Sequence, residues 1–445
     1  MHKRTELINW RRFISSPARY AVAFSVLALS MSPALPAQSN SQYRIFAGNT
    51  HSHTELTWSH GEQWEHSPCA GILVYGSEPA DPFVSLWSKG YVFKNKCPGI
   101  YVINSWQLPS PGMTLKPDWK SVQGLPSRHY QLAKQDGYDF YVTSDHSQEA
   151  VFSPSGPANP AWQATKQQAA AATGPGFVAL AGFEFSENNG PGGRGHINVI
   201  NTASILNALA PGVDLSYLYR WLATAKPNGD GPVVASFNHP GPDQYADWAG
   251  RTPAVTDVIT MLEVINHNDH IHYQAFVNAL DKGWKVSPVC GLDNHGLTGI
   301  GKFKSRTFVL ASAKTKVAIL DAMKHRRTYA SLDNNLQCRY SVNGKVMGST
   351  LDHPSAFHFD IHIIDPDTSN PADKITKIDI VKDHGEIAQT YTPTTPGYDV
   401  TWKPTITDAQ SRYFFVRVWN AGGGDAPHPD PTKPVAWLAP VWTGR

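Results

Sequence analysis

Three histidines lie within ten residues of one another near the start of the chain, in the stretch GNTHSHTELTWSHG (residues 48–61). His51, His53 and His60 follow the short apolar run YRIFA, a pattern that is typical of a strand. Imidazole is the commonest side-chain ligand of metal ions, so the spacing suggests a metal site. A single His-x-His pair is weak evidence, because a chain with 19 histidines among 445 residues is expected to contain about one by chance. The rest of the sequence must therefore decide between a metal site and a polar loop.

Further histidines and acids flank six later apolar runs: YDFYVTSDH, FVALAGFEFSE, HINVINT, VVASFNHP, VITMLEVINH and KVSPVCGLDNH. In a barrel of parallel strands, residues at the carboxyl ends of the strands point into one shared bowl. So many imidazoles and carboxylates would need neutralisation there, and they exceed the three or four ligands of one tetrahedral ion. The pattern therefore predicts two or three divalent ions with a bridging carboxylate. The polar residues concerned are Asp145, His146, Glu184, His196, His239, Glu263, Asn266, Asp293 and His295.

The runs also predict the elements that position these residues. Near-continuous apolar runs of four to eight residues are typical of strands buried on both faces. Helical patterns lie between several of them, namely NPAWQATKQQAAAATG, HYQAFVNALDKG and KTKVAILDAMKHRR. This alternation predicts an α/β domain over residues 43–335, built on either a parallel sheet or a barrel.

Two regions depart from that rhythm. Residues 61–125 form a long segment rich in proline, glycine and tryptophan, which is typical of a lid, a binding loop or an inserted subdomain. Its tryptophans either stack on a substrate ring or pack an irregular insert. Residues 336–445 alternate apolar and polar positions, as in FHFDIHIID and YFFVRVWNAG, which predicts a small antiparallel β-sandwich.

The composition is that of an ordinary globular protein, with 41% hydrophobic and 17% charged residues. A net charge of +2 and the lack of a basic run give no indication of a nucleic-acid partner.

The first 37 residues predict an export signal. A stretch rich in lysine and arginine precedes an apolar stretch, and small residues precede a cleavage point after Ala34 or Ala37. The pair Arg11-Arg12 leaves both the Sec and the twin-arginine route open. The apolar stretch is too short for a stable membrane anchor. We therefore expect a periplasmic or secreted protein.

Four cysteines follow this segment. In an oxidising compartment Cys69 and Cys97 are either a disulfide or two buried thiols. Cys290 stands inside an apolar run and is expected in the core.

In their order along the chain, these motifs resemble the polymerase-and-histidinol-phosphatase (PHP) superfamily of metal-dependent hydrolases. The order is His-x-His, SHG, TSDH, the glutamate of GFEFS, GHINV, NHP, EVIN and GLDNH, and KHRRTYAS extends it. Within the superfamily, the chain is most similar to exported members that carry a C-terminal β domain. The resemblance implies a distorted (β/α)7 barrel of PHP type with a di- or trinuclear metal site at its carboxyl face. In one departure, Ser59-His60-Gly61 comes two residues later than the Ser-Asp-Gly of the family.

The resemblance also implies a set of ligands for two or three divalent ions, which would be Zn, Mn or Fe. Glu184 would bridge the first two ions. In this scheme the first ion takes His51, His53, Glu184 and Asp293, the second shares Glu184 and adds His196 and His239, and the third takes His60, His146 and His295.

Such a site predicts an exported metal-dependent hydrolase, and a phosphoesterase in particular, that acts on a small-molecule substrate. A hydroxide that bridges two ions is nucleophilic near neutral pH, and the ions stabilise charge on phosphorus. Glu184 and Asp293 would serve this chemistry as ligands, while Arg194 either holds a phosphate oxygen or is a solvated loop arginine. Asp145 and Asn49 either orient neighbouring histidines or cap loop turns.

Two other functions stay open at this point. One is hydrolysis of a non-phosphate ester, amide or lactone at the same ions. The other is a carbohydrate- or ligand-binding protein with a structural metal cluster.

Overall fold

The computed structural model describes residues 42–57, 122–186, 195–241, 244–267, 269–425 and 429–445, and the backbone of five short strands between Trp64 and Leu115. Contacts divide the chain into Met1–Ala37, which lies outside the described residues, and Gln38–Arg445. In the described part, no helix is long and apolar enough to cross a membrane.

All seven apolar runs are strands. The first is β1 (Arg44–Asn49), and five short strands follow it: β2 (Trp64–His66), β3 (Ile72–Leu73), β4 (Tyr91–Lys94), β5 (Ile100–Ile103) and β6 (Met113–Leu115). The remaining strands up to residue 331 are β7 (Phe140–His146), β8 (Val178–Ser186), β9 (His196–Ile200), β10 (Val234–Asn238), β11 (Ile259–Asn266), β12 (His270–Ile271), β13 (Ser287–Gly291), β14 (Arg306–Ala311) and β15 (Thr328–Ser331).

Among the described residues, eight helical segments lie between these strands, and side chains cap several of them. Asn159, Asp214, Thr252 and Thr315 each accept a hydrogen bond from a backbone N–H in the first turn. The helical segments are α1 (Pro126–Gln135), α2 (Pro160–Ala172), α3 (Leu215–Leu222), α4 (Gln244–Trp248), α5 (Pro253–Val258), α6 (Tyr273–Asp281), α7 (Thr298–Lys302) and α8 (Lys316–Lys324). Of these, α4 is a left-handed turn with positive φ rather than a regular α-helix. The three predicted helices are α2, α6 and α8.

The strands form a mixed α/β sheet. β1, β7 and β8 are parallel neighbours, and β10, β11 and β13 form a second parallel group. β9 joins the groups and runs antiparallel to both β8 and β10. The sequence analysis expected parallel strands here, but the connection from β8 to β9 is too short for a crossover helix.

The inner faces of these strands share one core. Each of β1, β7, β8, β9, β10, β11, β13 and β14 contributes at least one buried apolar side chain to a single cluster, among them Phe46, Phe140, Leu180, Ile200, Val234, Met261, Val289 and Val309. β1 pairs with β14, but β13 contacts β14 through the Thr307 hydroxyl, which bonds the Cys290 backbone. The backbone ladder of the described strands therefore does not show a closed barrel, and the barrel stays a prediction.

The C-terminal strands are antiparallel. They are β16 (Gln337–Val342), β17 (Lys345–Val346), β18 (Ala356–Ile364), β19 (Ile375–Lys382), β20 (Ile387–Tyr391), β21 (Asp399–Trp402), β22 (Thr405–Thr407), β23 (Tyr413–Asn420), β24 (Ala436–Leu438) and β25 (Val441–Trp442). One sheet continues from β15 through β24, β23 and β19 to β20. A second sheet holds β16, β17, β18, β21 and β22, and alternate residues of β18 pack into a core shared by both sheets. The predicted domain boundary at residue 336 stays a prediction.

Candidate metal centre

The polar residues singled out in the sequence meet at one edge of the sheet. His51 and His53 follow β1, His146 ends β7, and Glu184 lies near the end of β8. Asp293 and His295 follow β13 and His239 follows β10, while His196 is the first residue of β9. Because β9 is antiparallel to its neighbours, its start lies beside their ends, opposite Ser186 and Asn238. The reversed strand therefore brings His196 to the same edge.

Glu184 lies at the centre of this group and is fully buried. Its Oε1 is 3.1 Å from His196 Nδ1 and 3.3 Å from both His51 Nε2 and His239 Nε2. Its Oε2 is 3.0 Å from His146 Nε2. Asn238 Nδ2 donates to Oε1 at 2.9 Å, and the Ser186 hydroxyl donates to Oε2 at 2.9 Å. One carboxylate thus contacts four imidazoles, as expected of a bridging ligand.

His51, His53 and Asp293 form a second close set. The two Nε2 atoms of the histidines are 3.0 Å apart, and His53 Nε2 is 2.9 Å from Asp293 Oδ1. Asp293 and His239 both adopt positive φ, at 49° and 28°. Non-glycine residues rarely adopt this conformation, and it is concentrated at functional sites.

The hydrogen bonds of the Nδ1 atoms of His53 and His295 determine which ring nitrogen carries the proton. Thr57 Oγ1 donates to Asp145 Oδ1 at 2.8 Å, because a carboxylate only accepts. The same oxygen is 3.2 Å from His53 Nδ1, so it accepts the ring N–H. His295 Nδ1 donates to the Asp293 backbone carbonyl at 2.9 Å. These contacts place the ring proton of neutral His53 and His295 on Nδ1, so Nε2 is the nitrogen that each ring would offer to a cation.

Glu263 contacts the ring nitrogen of His51 that faces away from Glu184. Its Oε1 is 2.7 Å from His51 Nδ1, and its Oε2 accepts the His239 backbone N–H at 2.8 Å. Asn266 Nδ2 donates to Glu263 Oε2 and to Asp293 Oδ2 at 3.2 and 3.3 Å. A Cβ at Gly291 would overlap Glu263 Oε1, so only glycine lets the carboxylate reach His51 here.

His129 on α1 supports the loop between the two first histidines. Its Nδ1 accepts from the Ser52 hydroxyl at 3.1 Å, and its Nε2 donates to the Gln123 carbonyl at 2.8 Å. Burial lowers the pKa of His129 to about 4, so the ring is neutral and both nitrogens are satisfied.

The electrostatics reflect a dense group of opposite charges. Burial disfavours the charged form of His51, but the Asp293, Glu263 and Glu184 carboxylates outweigh it and raise its pKa. Burial and the nearby His295 and His146 lower the pKa of His53. Burial opposes ionisation of Glu184 and Asp293, yet the surrounding histidines hold the pKa of both carboxyls well below the usual value. In the described part, the ion pairs of Glu184, Glu263 and Asp293 are all with histidines.

The donor set fits divalent metal ions. Four groups of three side chains bring one ligand atom each within 4.8 Å of the others, and they share members. Paired lone pairs 3.0 Å apart, as at His51 and His53, are unfavourable unless a proton or cation lies near them. The groups are His51–His53–Asp293, His51–Glu184–His239, His146–Glu184–His196 and His53–His146–His295. A mixture of imidazole and carboxylate suits Zn, Mn or Fe.

The comparisons with known proteins leave the family open. No protein-family model matches the chain, and no curated protein matches it. The chain is similar to a crystal structure of a two-domain protein from Bacteroides vulgatus that contains a predicted PHP-like metal-dependent phosphoesterase, with 16% identity over 91% of this chain and 97% of that one. The TM-score is 0.40, so this likeness decides neither the fold nor the activity.

Several sequence predictions fall outside the described residues. These are His60, Arg194, the Cys69–Cys97 pair, the export segment and the side chains of residues 61–121. The other eight predicted ligands are brought together, although His146 and His196 share one group with Glu184, whereas the resemblance separated them.

The structure bears on two interpretations that the sequence left open. Asp145 accepts from Thr54 and Thr57, so it acts on His53 through Thr57. Asn49 bonds the His51 carbonyl and the Leu292 N–H and thereby ties the end of β1 to that of β13.

Several contributors lie outside the predicted set of ligands. His267 Nε2 is 3.9 Å from Asp293 Oδ2 at the open side of the group. Ser186 and Asn238 stand beside predicted ligands in the sequence, and this adjacency could have indicated them. Thr57 and His129 act across long sequence separations and left no local signal.

Proposed function

We propose that this chain is a metal-dependent hydrolase, and specifically a phosphoesterase that acts on a small-molecule phosphoester. The observation that carries the proposal is the buried Glu184 carboxylate, which contacts four imidazoles at 3.0 to 3.3 Å. A structural site needs one closed set of about four ligands, whereas this group offers overlapping sets.

The residues that would hold the ions are the eight that meet at this edge, with His60 as a further candidate. Divalent ions held there supply Lewis acidity and activate water near neutral pH. Glu263 and the Thr57–Asp145 pair keep His51 and His53 oriented, and Asn238 and Ser186 fix the Glu184 carboxylate.

The open side of the group is where a substrate would enter. The side chains of His196, His239, His295 and His267 are 14, 18, 25 and 39% exposed, whereas His51 and His53 are buried. A phosphoryl group is favoured as the reacting group because its oxygens suit several adjacent ions. Arg194 is proposed to add a bidentate contact.

The proposal extends to the architecture and the location. The seven strands predicted from the apolar runs, β1, β7 to β11 and β13, would form a distorted barrel, consistent with the core to which each of them contributes. Residues 1–37 would direct export, which N-terminal sequencing of the mature protein tests through cleavage after Ala34 or Ala37.

A hydrolysis panel tests the activity. The purified protein is supplied with Mn or Zn and offered an aryl phosphomonoester, a phosphodiester and a carboxyl ester. Phosphoester turnover that is lost with chelator and in His196→Ala is the expected result. His353→Ala is the matched control, since that side chain is 62% exposed and remote in the C-terminal part.

The other results separate the alternatives. Turnover of the carboxyl ester alone would replace the phosphoesterase with a hydrolase of non-phosphate bonds. No turnover at verified metal occupancy would reject the generic phosphoesterase and favour a binding protein.

A further inference from the structure

A second group of acids lies away from the metal centre, in the C-terminal part. Asp333 follows β15, Asp365 follows β18, and Asp373 lies in a short 3-10 turn (Pro371–Asp373) before β19. We call these three residues the aspartate cluster. One carboxylate oxygen from each lies within 4.8 Å of the others, although the residues are only 1, 1 and 6% exposed.

The cluster has few compensating partners. Asp333 Oδ1 accepts the backbone N–H groups of Asn335 and Leu336 at 3.0 Å, and Asp365 Oδ1 accepts that of Asp367 at 2.9 Å. Within the described residues, no lysine, arginine or histidine forms an ion pair with any of the three acids. Asp425 adds a fourth negative charge nearby.

Two buried oxygens in or beside the cluster lack an ordinary donor. Asp365 Oδ2 accepts from no N–H or hydroxyl group in the described part of the chain, and the side chain within its hydrogen-bond reach is the acidic Asp333. The buried Asn335 Oδ1, in the turn that Asp333 caps, also lacks a donor there. A buried carboxylate oxygen without a donor is costly unless a cation lies beside it.

The electrostatics of the cluster also disfavour the ionised form of its carboxyl groups. Burial, together with the Asp365, Asp425 and Asp373 carboxylates, raises the pKa of Asp333 to about 8. Carboxylates so placed must either take up protons or bind a cation.

The donor atoms select the cation. All are oxygens, whereas zinc and related ions prefer the imidazoles of the metal centre. Calcium binds six to eight oxygens in a flexible geometry, whereas magnesium demands a near-ideal octahedron and keeps several waters, which suits a buried site less well. We propose that the aspartate cluster binds one calcium ion, which joins the turn after β15 to the ends of β18 and β19.

Calcium would stabilise the fold and take no part in turnover. The two strands belong to different C-terminal sheets, so one ion would link both sheets to the end of β15. A ligand that binds only the folded state raises its stability by mass action. This inference does not depend on the proposed hydrolase activity.

Calcium content and thermal unfolding test the proposal. The full chain, with its Mn or Zn supply held constant, is dialysed against low calcium and its bound calcium is measured. Melting temperatures are recorded with and without CaCl2 and with MgCl2. One calcium per chain is expected in the parent protein and in His196→Ala, with a rise in Tm of several degrees on calcium addition.

Asp365→Asn and Asp373→Asn should lose both the calcium and the Tm response. Asp352→Asn, an exposed aspartate of the same part of the chain, should keep both. Without calcium, Asp365→Asn should melt no lower than the parent, because it removes a buried charge from among other carboxylates. A merely structural aspartate would instead leave the variant less stable under both conditions.

Three results would overturn the assignment. They are calcium binding that persists in both cluster variants, a parent protein that neither binds calcium nor responds to it, and an equal Tm response to magnesium. If the parent protein neither binds calcium nor responds to it, the carboxyl groups of the cluster are stabilised by shared protons instead of a cation.

Discussion

The Thr57 hydroxyl determines which nitrogen of His53 carries the proton, because its own proton is donated to Asp145. Several groups at the centre act in this way, through another side chain. His129 orients Ser52, and Glu263 orients His51. Such contacts fix the rings before any ion binds, which lowers the entropic cost of binding.

Thr57→Val should weaken metal binding by roughly 10- to 100-fold while the fold is retained. Valine has a similar shape but cannot accept the His53 N–H or the His146 backbone N–H, which Thr57 Oγ1 accepts at 3.1 Å. Metal titration of the stripped protein measures the effect. Thr165→Val is the control, since its hydroxyl bonds only a carbonyl of its own helix. Equal affinities in the parent and Thr57→Val would contradict this role.

His129 should make the fold sensitive to acid. Its unfolded pKa is 6.5 and its folded pKa is about 4, so the unfolded state binds the proton more tightly. The stabilisation is complete above pH 6.5 and is lost as the pH falls towards 4, by up to about 3 kcal/mol.

His129→Gln should remove that part of the pH dependence. Denaturant unfolding of the parent and the variant at pH 7, 5.5 and 4.5 gives the difference in the free energy of unfolding, and this difference should shrink as the pH falls. A difference that is constant with pH would show that His129 does not titrate as proposed.

Among single residues, the sequence predicted those whose functional neighbours stand next to them in the chain. His-x-His, TSDH and GLDNH carry their residue types on the chain itself, and the fold brings those side chains together. Thr57 and Asp145 are 88 residues apart, and Ser52 and His129 are 77 apart. Partners at such distances become neighbours only through strand register, which no local pattern specifies.

Among the elements, β13 has the least freedom at its last residue. Gly291 lies against both Glu263 and the Cβ of His51. The absence of a side chain there leaves the space in which Glu263 of β11 contacts His51, which follows β1.

Gly291→Ala should displace Glu263 from His51 and lower metal occupancy, at a cost of about 1–3 kcal/mol in the free energy of unfolding. Metal analysis and denaturant unfolding measure the two effects. Gly397→Ala is the matched control, because an added Cβ there meets no heavy atom within 4 Å. Full metal occupancy in Gly291→Ala would show that the strand end can adapt.

The sequence predicted which segments are strands better than it predicted the orientation of each strand in the sheet. All seven apolar runs are strands, because hydrophobic periodicity reports burial. The reversal of β9 depends on the short connection after Ser186, which periodicity does not report. The sequence analysis predicted His196 as a ligand but expected parallel strands. In the antiparallel β9, His196 reaches the site from the start of its strand.

For the whole molecule, the sheet that carries the site does not end at the predicted domain boundary. β15 pairs with β24 through Tyr329 and Leu438, and Trp437 packs in the same core as residues of α6. Arg412 and Tyr413 also bond Asp281 at the end of α6. The C-terminal strands therefore complete the fold that positions the metal centre.

A chain that ends at Ser331 should not fold into a soluble, metal-binding unit. Its β15 would present an open strand edge, and part of its core would be exposed. Circular dichroism and metal analysis of the truncated and full chains test this. A truncated chain that is soluble and binds metal as the full chain does would establish an independent domain.

The position of β24 has a consequence for the order in which the protein is made. β24 lies between β15 and β23, yet residues Ala436–Leu438 are synthesised after both. Until they emerge, each of its two neighbours lacks a partner on that side, so the two halves of the large sheet stay separate on the ribosome. A pause in translation ahead of Ala436 would thus leave a nascent chain with two unpaired strand edges. Such edges promote aggregation, and chaperones protect chains in this state.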